Sequence, residues 1–201
     1  MNAIEFITLE VADTAAAERF YNAAFGLDDL LRLRATDAAT TGFRGFTLSL
    51  VVAQPSTVNG LMDAAVDAGA TTLKPAEKSL WGYGGVVQAP DGTIWTIASS
   101  AKKDTGPATR QVDEIVLLLG AEDVGASKRF YVDRGLTVGK SVGSYVDFAM
   151  PSGSVGLNLY KRRALAKVAG VPPDGSGSHR LLINSDAESF TDPDGFVWAP
   201  A

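Results

Sequence analysis

Side chains suited to chemistry are scarce in this sequence, and the scarcity narrows the options. No cysteine occurs among the 201 residues, which excludes disulfides, thiolate nucleophiles and zinc–thiolate sites. The single histidine, His179, leaves no two-imidazole metal site within one chain and little for a Ser-His-Asp triad. It stands in Ser178-His179-Arg180, after a Gly/Ser loop and at the start of a strand-like run. That placement suits either a partly exposed loop-edge histidine or a pH-sensitive or catalytic group. Glu10 is the second catalytic candidate. Alternation over Ile4 to Val11 puts Phe6, Thr8 and Glu10 on one face, with Ile7, Leu9 and Val11 on the other. If the apolar set packs under a helix, Glu10 points into a cavity; otherwise it is a surface carboxylate.

Pockets for small molecules are mostly apolar and aromatic, with a few polar groups that orient the ligand. The candidates for such a lining are Phe6, Thr8, Glu10, Phe43, Phe46, Trp81, Tyr83, Thr96 and Tyr145, with Arg34 and Arg44 as further charges. Trp81 and Tyr83 stand out, because Ser79-Leu80-Trp81-Gly82-Tyr83-Gly84-Gly85 sets two stacking rings on a glycine-rich rim. The same segment would also serve to bury a sheet edge. Gly82-Tyr83-Gly84-Gly85 lacks the strand-to-helix context of a nucleotide loop, and no serine occupies a nucleophile elbow. Lys161-Arg162-Arg163 reads as a solvated helix start and not as an anion site.

These residues need elements to hold them. The composition is globular, 46% hydrophobic and 20% charged, and a net charge of -5 argues against nucleic-acid binding. The N-terminal residues carry neither a basic region nor a long apolar run, so a cytoplasmic location without membrane association is expected. Asp13 caps a helix from Thr14 that Gly26 stops, Ser56 caps an amphipathic helix ending at Gly69, and Asp123 caps a third ending near Asp133. A short helix from Lys161 to Ala169 ends at Gly170. Strands are expected at 4–11, 30–34, 43–53, 71–74, 84–88 and 93–98, then at 114–119, 137–141, 145–150, 155–160, 180–184 and 196–198. Residues 101–110 read as a linker between a first half, 1–100, and a second, 111–201.

The halves repeat each other. Arg19-Phe20-Tyr21 recurs as Arg129-Phe130-Tyr131, and Pro90-Asp91-Gly92 leading to Trp95 recurs as Pro193-Asp194-Gly195 leading to Trp198. With the Gly-Leu pairs Gly26-Leu27 and Gly135-Leu136, the later Trp81-Gly82, and the stretch Leu157 to Ala166, these motifs resemble the vicinal oxygen chelate superfamily, the group of glyoxalases, bleomycin-resistance proteins and extradiol dioxygenases.

The resemblance implies an α+β fold of tandem βαβββ modules, with curved mixed sheets around a ligand cavity and helices on the outside. Four module-like units fit the chain. The middle two, about 43–99 and 114–160, are complete, and the outer two are truncated. Metal-dependent members place ligands on the first and last strands of paired modules. Measured from Asp13 and the Pro-Asp-Gly turns, those positions hold Phe6, Ile115 or Val116, Thr96 and Ala199, none a competent ligand. No metal or cofactor is therefore expected. Trp95 and Trp198 lie one residue before such positions and should face the helices.

The function this points to is capture of a small organic molecule, planar aromatics foremost, in a metal-free cavity, as in the bleomycin-resistance branch. The alternative is a lyase, isomerase or dioxygenase of the same superfamily with an atypical metal or an acid–base site; a third reading is an interaction protein whose cavity has collapsed. Superfamily members often complete a cavity by homodimerising, while four modules in one chain can also pair internally.

Overall fold

The computed structural model describes residues 3–26 and 29–201; Leu27 of the Gly26-Leu27 pair lies outside them. The first half runs β1 (Ile4–Val11), α1 (Thr14–Ala24), β2 (Leu31–Ala35), β3 (Thr40–Gly42), β4 (Phe46–Val51), α2 (Pro55–Asp67), β5 (Thr71–Ser79), β6 (Gly82–Gln88) and β7 (Ile94–Ser99). The second runs β8 (Glu114–Ala121), α3 (Val124–Asp133), β9 (Val138–Val142), β10 (Tyr145–Phe148), β11 (Gly156–Lys161), α4 (Arg162–Ala169), β12 (Gly175–Gly177), β13 (Leu181–Ser185), β14 (Phe190–Thr191) and β15 (Val197–Pro200).

Local chemistry explains most of these boundaries. Asp13 and Asp123 each accept the N–H three residues on, from Ala16 at 2.9 Å and Ala126 at 3.0 Å, which satisfies a donor that a helix start leaves free. Gly170 closes α4 at φ 82°, a conformation that glycine adopts without strain. The second helix departs from expectation: Pro55 is its first residue after Gln54, and the Ser56 N–H is bonded to Asp104 instead. Gln54 also holds residues 105–107 through its side-chain amide, so this segment is pinned to α2.

The strands form two nested sheets. The larger has the order β5-β6-β7-β4-β8-β11-β10-β9, with β4 and β8 antiparallel at its centre. It contains the two complete βαβββ units. The smaller has the order β14-β15-β13-β1-β2, with β1 and β13 antiparallel at its centre, and joins the two truncated units. No helix separates β13 from β14. Short β3 and β12 pair as a separate ribbon. All four units thus pair within one chain.

Helices α1, α2 and α3 cover one face of these sheets, over a continuous core that includes Ile7, Leu48, Leu61, Ile97, Leu117, Leu157 and Ile183. Trp95 and Trp198 are 0% exposed on that face. Each packs against the tyrosine of an Arg-Phe-Tyr helix, Trp95 against Tyr21 at 5.6 Å and Trp198 against Tyr131 at 5.5 Å between ring centroids.

The tyrosines also tie the sheets together. Tyr21, on α1 of the smaller sheet, donates its hydroxyl to Asp91 Oδ2 at 2.7 Å in the β6–β7 turn of the larger sheet. Tyr131, on α3 of the larger sheet, donates to Asp192 in the β14–β15 turn of the smaller one. Burial, and then the neighbouring carboxylate, push both phenols well above their ordinary pKa, so both stay donors. Tyr21→Phe and Tyr131→Phe should each lower the free energy of unfolding by ~1–3 kcal/mol, since each leaves a carboxylate short of a donor. Urea denaturation measures this, with the larger loss expected for Tyr131 because Asp192 is the more buried acid. Midpoints equal to wild type would remove these bonds from any structural role.

Candidate functional site

Opposite the helices, each curved sheet has a second face, and the pleat determines what stands on it. On the larger sheet α4 covers one end of this face. Its Leu165, Ala166 and Ala169 are buried against Phe43, Val86 and Ile94, with Leu118 and Tyr160 at the margin. The uncovered remainder forms a trough.

One end of the trough is a pocket of about 320 Å³ lined by Trp81, Gly82, Tyr83, Gly84, Val86, Thr96 and Ala98, with Lys74 and Glu77 of the adjacent β5 and Val168 of α4. Lys74 is committed to the fold, because its Nζ donates to the α4 carbonyls of Lys167 and Val168 at 2.7 and 2.6 Å. Trp81 is 81% exposed at the rim, beside Leu80 at 79%. The Tyr83 hydroxyl reaches away to Asn59 on α2, donating at 2.8 Å.

The other end is polar. Asp147 pairs in register with Asn158, and Tyr145 with Tyr160, so all four side chains share the open face. With its amide set to satisfy these neighbours, Asn158 donates to Asp147 Oδ1 at 2.9 Å and accepts from the Tyr145 hydroxyl at 3.2 Å. Glu114 leans over Gly156, where a β-carbon would lie 2.7 Å from its Oε1. Burial first, and then the charge of Asp147, raise the Glu114 carboxyl above its ordinary range. Burial likewise raises Asp147 against the opposing pull of Lys140, and Tyr145 is pushed up to about 12 by burial, Asp147, Tyr160 and Glu114. Such a set keeps its carboxyl protons to higher pH than exposed acids do, which suits proton exchange with a bound molecule. Ala98, Val51 and Glu114 are adjacent in register across β7, β4 and β8, so the two ends are about 10 Å apart at the usual strand spacing.

The expected site residues separate into groups. Trp81 and Thr96 meet in the pocket and Tyr145 lies at the acidic end of the same face, whereas Tyr83 lies on the pocket's strand with its ring turned to the helix-covered side. Phe6, Thr8 and Glu10 do share one face, but it belongs to the smaller sheet. There Thr8 donates to Asn184 Oδ1 at 2.8 Å, the Arg32 guanidinium lies 3.4 Å over the Phe6 ring, and Glu10 is ion-paired with Arg34.

Phe43 and Phe46 are not part of the trough lining. Phe43 is buried under α4, and Phe46 is in the main core with its ring edge on Phe196, because apolar rings gain most where helices cover them. His179 has both ring nitrogens on backbone carbonyls, Nδ1 at 2.6 Å from Arg44 and Nε2 at 3.0 Å from Asp194, and its ring stacks on Phe196 at 3.9 Å. It braces three segments, with neither nitrogen left for a substrate. Arg44 donates to the Asp91 carbonyl. Arg162 is not a solvated helix start, since it is largely buried and donates to the carbonyls of Phe43 and Pro173. Glu114, Asp147, Asn158 and Tyr160 are additions to the site. Alternation along β10 and β11 was the available signal for Asp147, Asn158 and Tyr160, while Glu114 opens an otherwise apolar β8 and had none.

By sequence, no family model matches the chain, and no curated protein matches it significantly. Solved structures do. Glyoxalase I from Zea mays superposes over 98% of this chain and 91% of its own with a TM-score of 0.65 at 13% identity. A Bacillus subtilis protein provisionally assigned as a dioxygenase covers 98% and 83% with a TM-score of 0.63 at 11% identity. This chain has the vicinal oxygen chelate fold.

The divalent metal that the vicinal oxygen chelate fold implies needs imidazole and carboxylate donors converging from the central strands. On the larger sheet those strands present Ser49, Thr96, Val116 and Asn158, with Glu114 the only carboxylate, and on the smaller sheet Phe6, Thr8, Asn184 and Ala199, with Glu10 already paired. Among the described residues no three His, Cys, Asp or Glu side chains converge. The donor set does not fit that metal.

Raised carboxyl pKa values carry a sign for stability. The folded state holds these protons to higher pH than the unfolded chain, so their favourable contribution is present below the unfolded pKa and fades as pH rises through the folded one. Carboxyl NMR titration should find Glu114 above the ordinary glutamate range, and Asp147→Asn should bring it down. A Glu114 titration unchanged in that variant would show that the two carboxyls are not coupled.

Proposed function

We propose that the trough of the larger sheet captures a small organic molecule with a planar aromatic part, held by stacking and apolar contact. The observation that carries this reading is the exposed Trp81 ring at the rim of a pocket whose neighbouring strand is Gly82-Tyr83-Gly84-Gly85. Exposing a tryptophan to water is unfavourable unless something covers it, and glycine at 84 leaves a flat floor beside Ala98 on which a ring can lie. Glu114 and Asp147, about 10 Å along the face, favour a positively charged group on the same molecule. Sequestration requires nothing more, since no bond is made or broken.

Fluorescence tests this directly, because Trp95 and Trp198 are fully buried and Trp81 is the third and last tryptophan. Titration with a cationic planar dye such as proflavine should quench the red-edge emission saturably. Trp81→Ala should weaken binding by about tenfold, the effect of a lost stacking contact. No quenching by cationic, neutral or anionic planar compounds counts against capture in this trough.

A second reading rests on a separate observation, the Glu114–Asp147–Asn158–Tyr145 network with its raised pKa values. It suits proton transfer to and from a bound carbon acid, with Glu114 as base and the Tyr145 hydroxyl near the developing oxyanion. Deuterium exchange into a bound ketone or ester, abolished in Glu114→Gln while dye binding persists, would establish it. Exchange equal to that in buffer removes it.

A further inference from the structure

At the N-terminal end of α4, the ribbon of β3 and β12 roofs a second cavity of about 330 Å³. It is lined by Thr40, Phe43, Arg44 and Arg162, and by the loop from Pro173 to His179. Of the two arginines in the lining, Arg44 sends its guanidinium to the Asp91 carbonyl, while Arg162 lies opposite the single carboxylate residue, the exposed Asp174, in a protein whose net charge is -5. Arg162 gives Nε to the Pro173 carbonyl and Nη2 to the Phe43 carbonyl, and the nearest acid, Glu122, is 79% exposed and 3.8 Å away. Its Nη1 has no hydrogen-bond partner among the described residues. The N-terminal turn of α4 adds to the imbalance, since it has no acidic residue and no side-chain cap.

Behind His179 the backbone is strained. Arg180 has φ 57°, the one positive value at a non-glycine among the described residues, and its Nε is buried without a partner. Its charge also opposes that of half-buried Arg44, whose pKa is lowered by burial and then, against the pull of Asp91, by Arg180. The roof itself depends on close backbone approach. A β-carbon at Gly175 would collide with the Phe43 carbonyl, and one at Gly177 with the Ala39 carbonyl. Beside the charged residues and His179, the lining has the hydroxyls of Ser176, Ser178 and Thr40, with Ser176 and Thr40 already bonded within the ribbon.

The geometry points to a binding site for the phosphoryl group of a small metabolite, held by the Arg162 guanidinium at the floor and the Ser178 hydroxyl at the rim. A guanidinium with a free N–H matches a tetrahedral oxyanion, and a charge-assisted bond there is stronger than a neutral one. The cavity has more room than a lone oxyanion needs, so an ester fits better than the free ion.

Phosphorus NMR and thermal unfolding test this on the whole chain, with inorganic phosphate and glucose 6-phosphate as probes and sodium chloride at matched ionic strength as control. Saturable line broadening and a raised Tm are expected for both probes, the ester binding more tightly, and Arg162→Gln should weaken binding by about tenfold or more. Trp81→Ala should leave it unchanged, which separates this site from the trough. If Arg162→Gln does not fold, Ser178→Ala decides, because its exposed hydroxyl supports no other contact: a loss of about threefold or more sustains the site, and unchanged affinity overturns it. Response to chloride equal to that of phosphate, or undiminished binding in folded Arg162→Gln, overturns it as well.

Discussion

The architecture depends on a pair of hydrogen bonds, each running from a helix of one sheet to a turn of the other. Tyr21 reaches Asp91 and Tyr131 reaches Asp192, with Trp95 and Trp198 packed against the two phenols. A phenol inside an apolar core is stable only when its hydroxyl finds an acceptor, and a buried carboxylate only when it finds donors. Each satisfies the other at the seam. The Asp carboxylates also accept backbone N–H groups of their own turns, Thr93 for Asp91, and Asp194 and Phe196 for Asp192. One carboxylate therefore shapes a turn and fastens two sheets. The fastening follows the sequence repeat only in part: Asp91 is the aspartate of the first Pro-Asp-Gly, whereas Tyr131 uses Asp192, just before the second, whose own Asp194 holds Ser127 and the Glu122 N–H instead.

This explains how far the sequence could be read. The repeat, the capping aspartates, the Gly170 stop and the burial of both tryptophans depend on neighbours a few residues away or on strict alternation, and these the chain displays openly. The completeness of the middle units was legible for the same reason. Docking of α4 onto the open face was not, because its short apolar stripe of Leu165, Ala166 and Ala169 does not say which sheet it will cover. Phe43 therefore lies under that helix and not in the trough. Strands β3 and β12 carry Thr, Gly and Ser without apolar alternation, so nothing in their pattern announced a ribbon. Glu114 and Asp147 are brought together only by the β8–β11–β10 pairing.

Helix α4 and the vacancy of the metal positions belong together. A face built to expose ligands to a central ion would place imidazoles and carboxylates where Ser49, Thr96 and Val116 stand, and covering half of it with a helix would block access. Here the covered half is apolar and the uncovered half keeps the polar groups. Glu114 and Asp147 destabilise each other when both are ionised, which stability alone would not retain.

The nesting of the sheets has a consequence for the chain as a physical object. Both central pairings, β1 with β13 and β4 with β8, join residues on opposite sides of 101–110, and β1 lies more than 170 residues from β13. A cut in that segment would not release two half-molecules with closed surfaces. Each fragment would carry two bare central strand edges, the arrangement that most readily recruits foreign strands. The fragments are therefore mutual templates, matched by register and by the tyrosine–aspartate seam, and the intact chain is a covalently tethered case of fragment complementation.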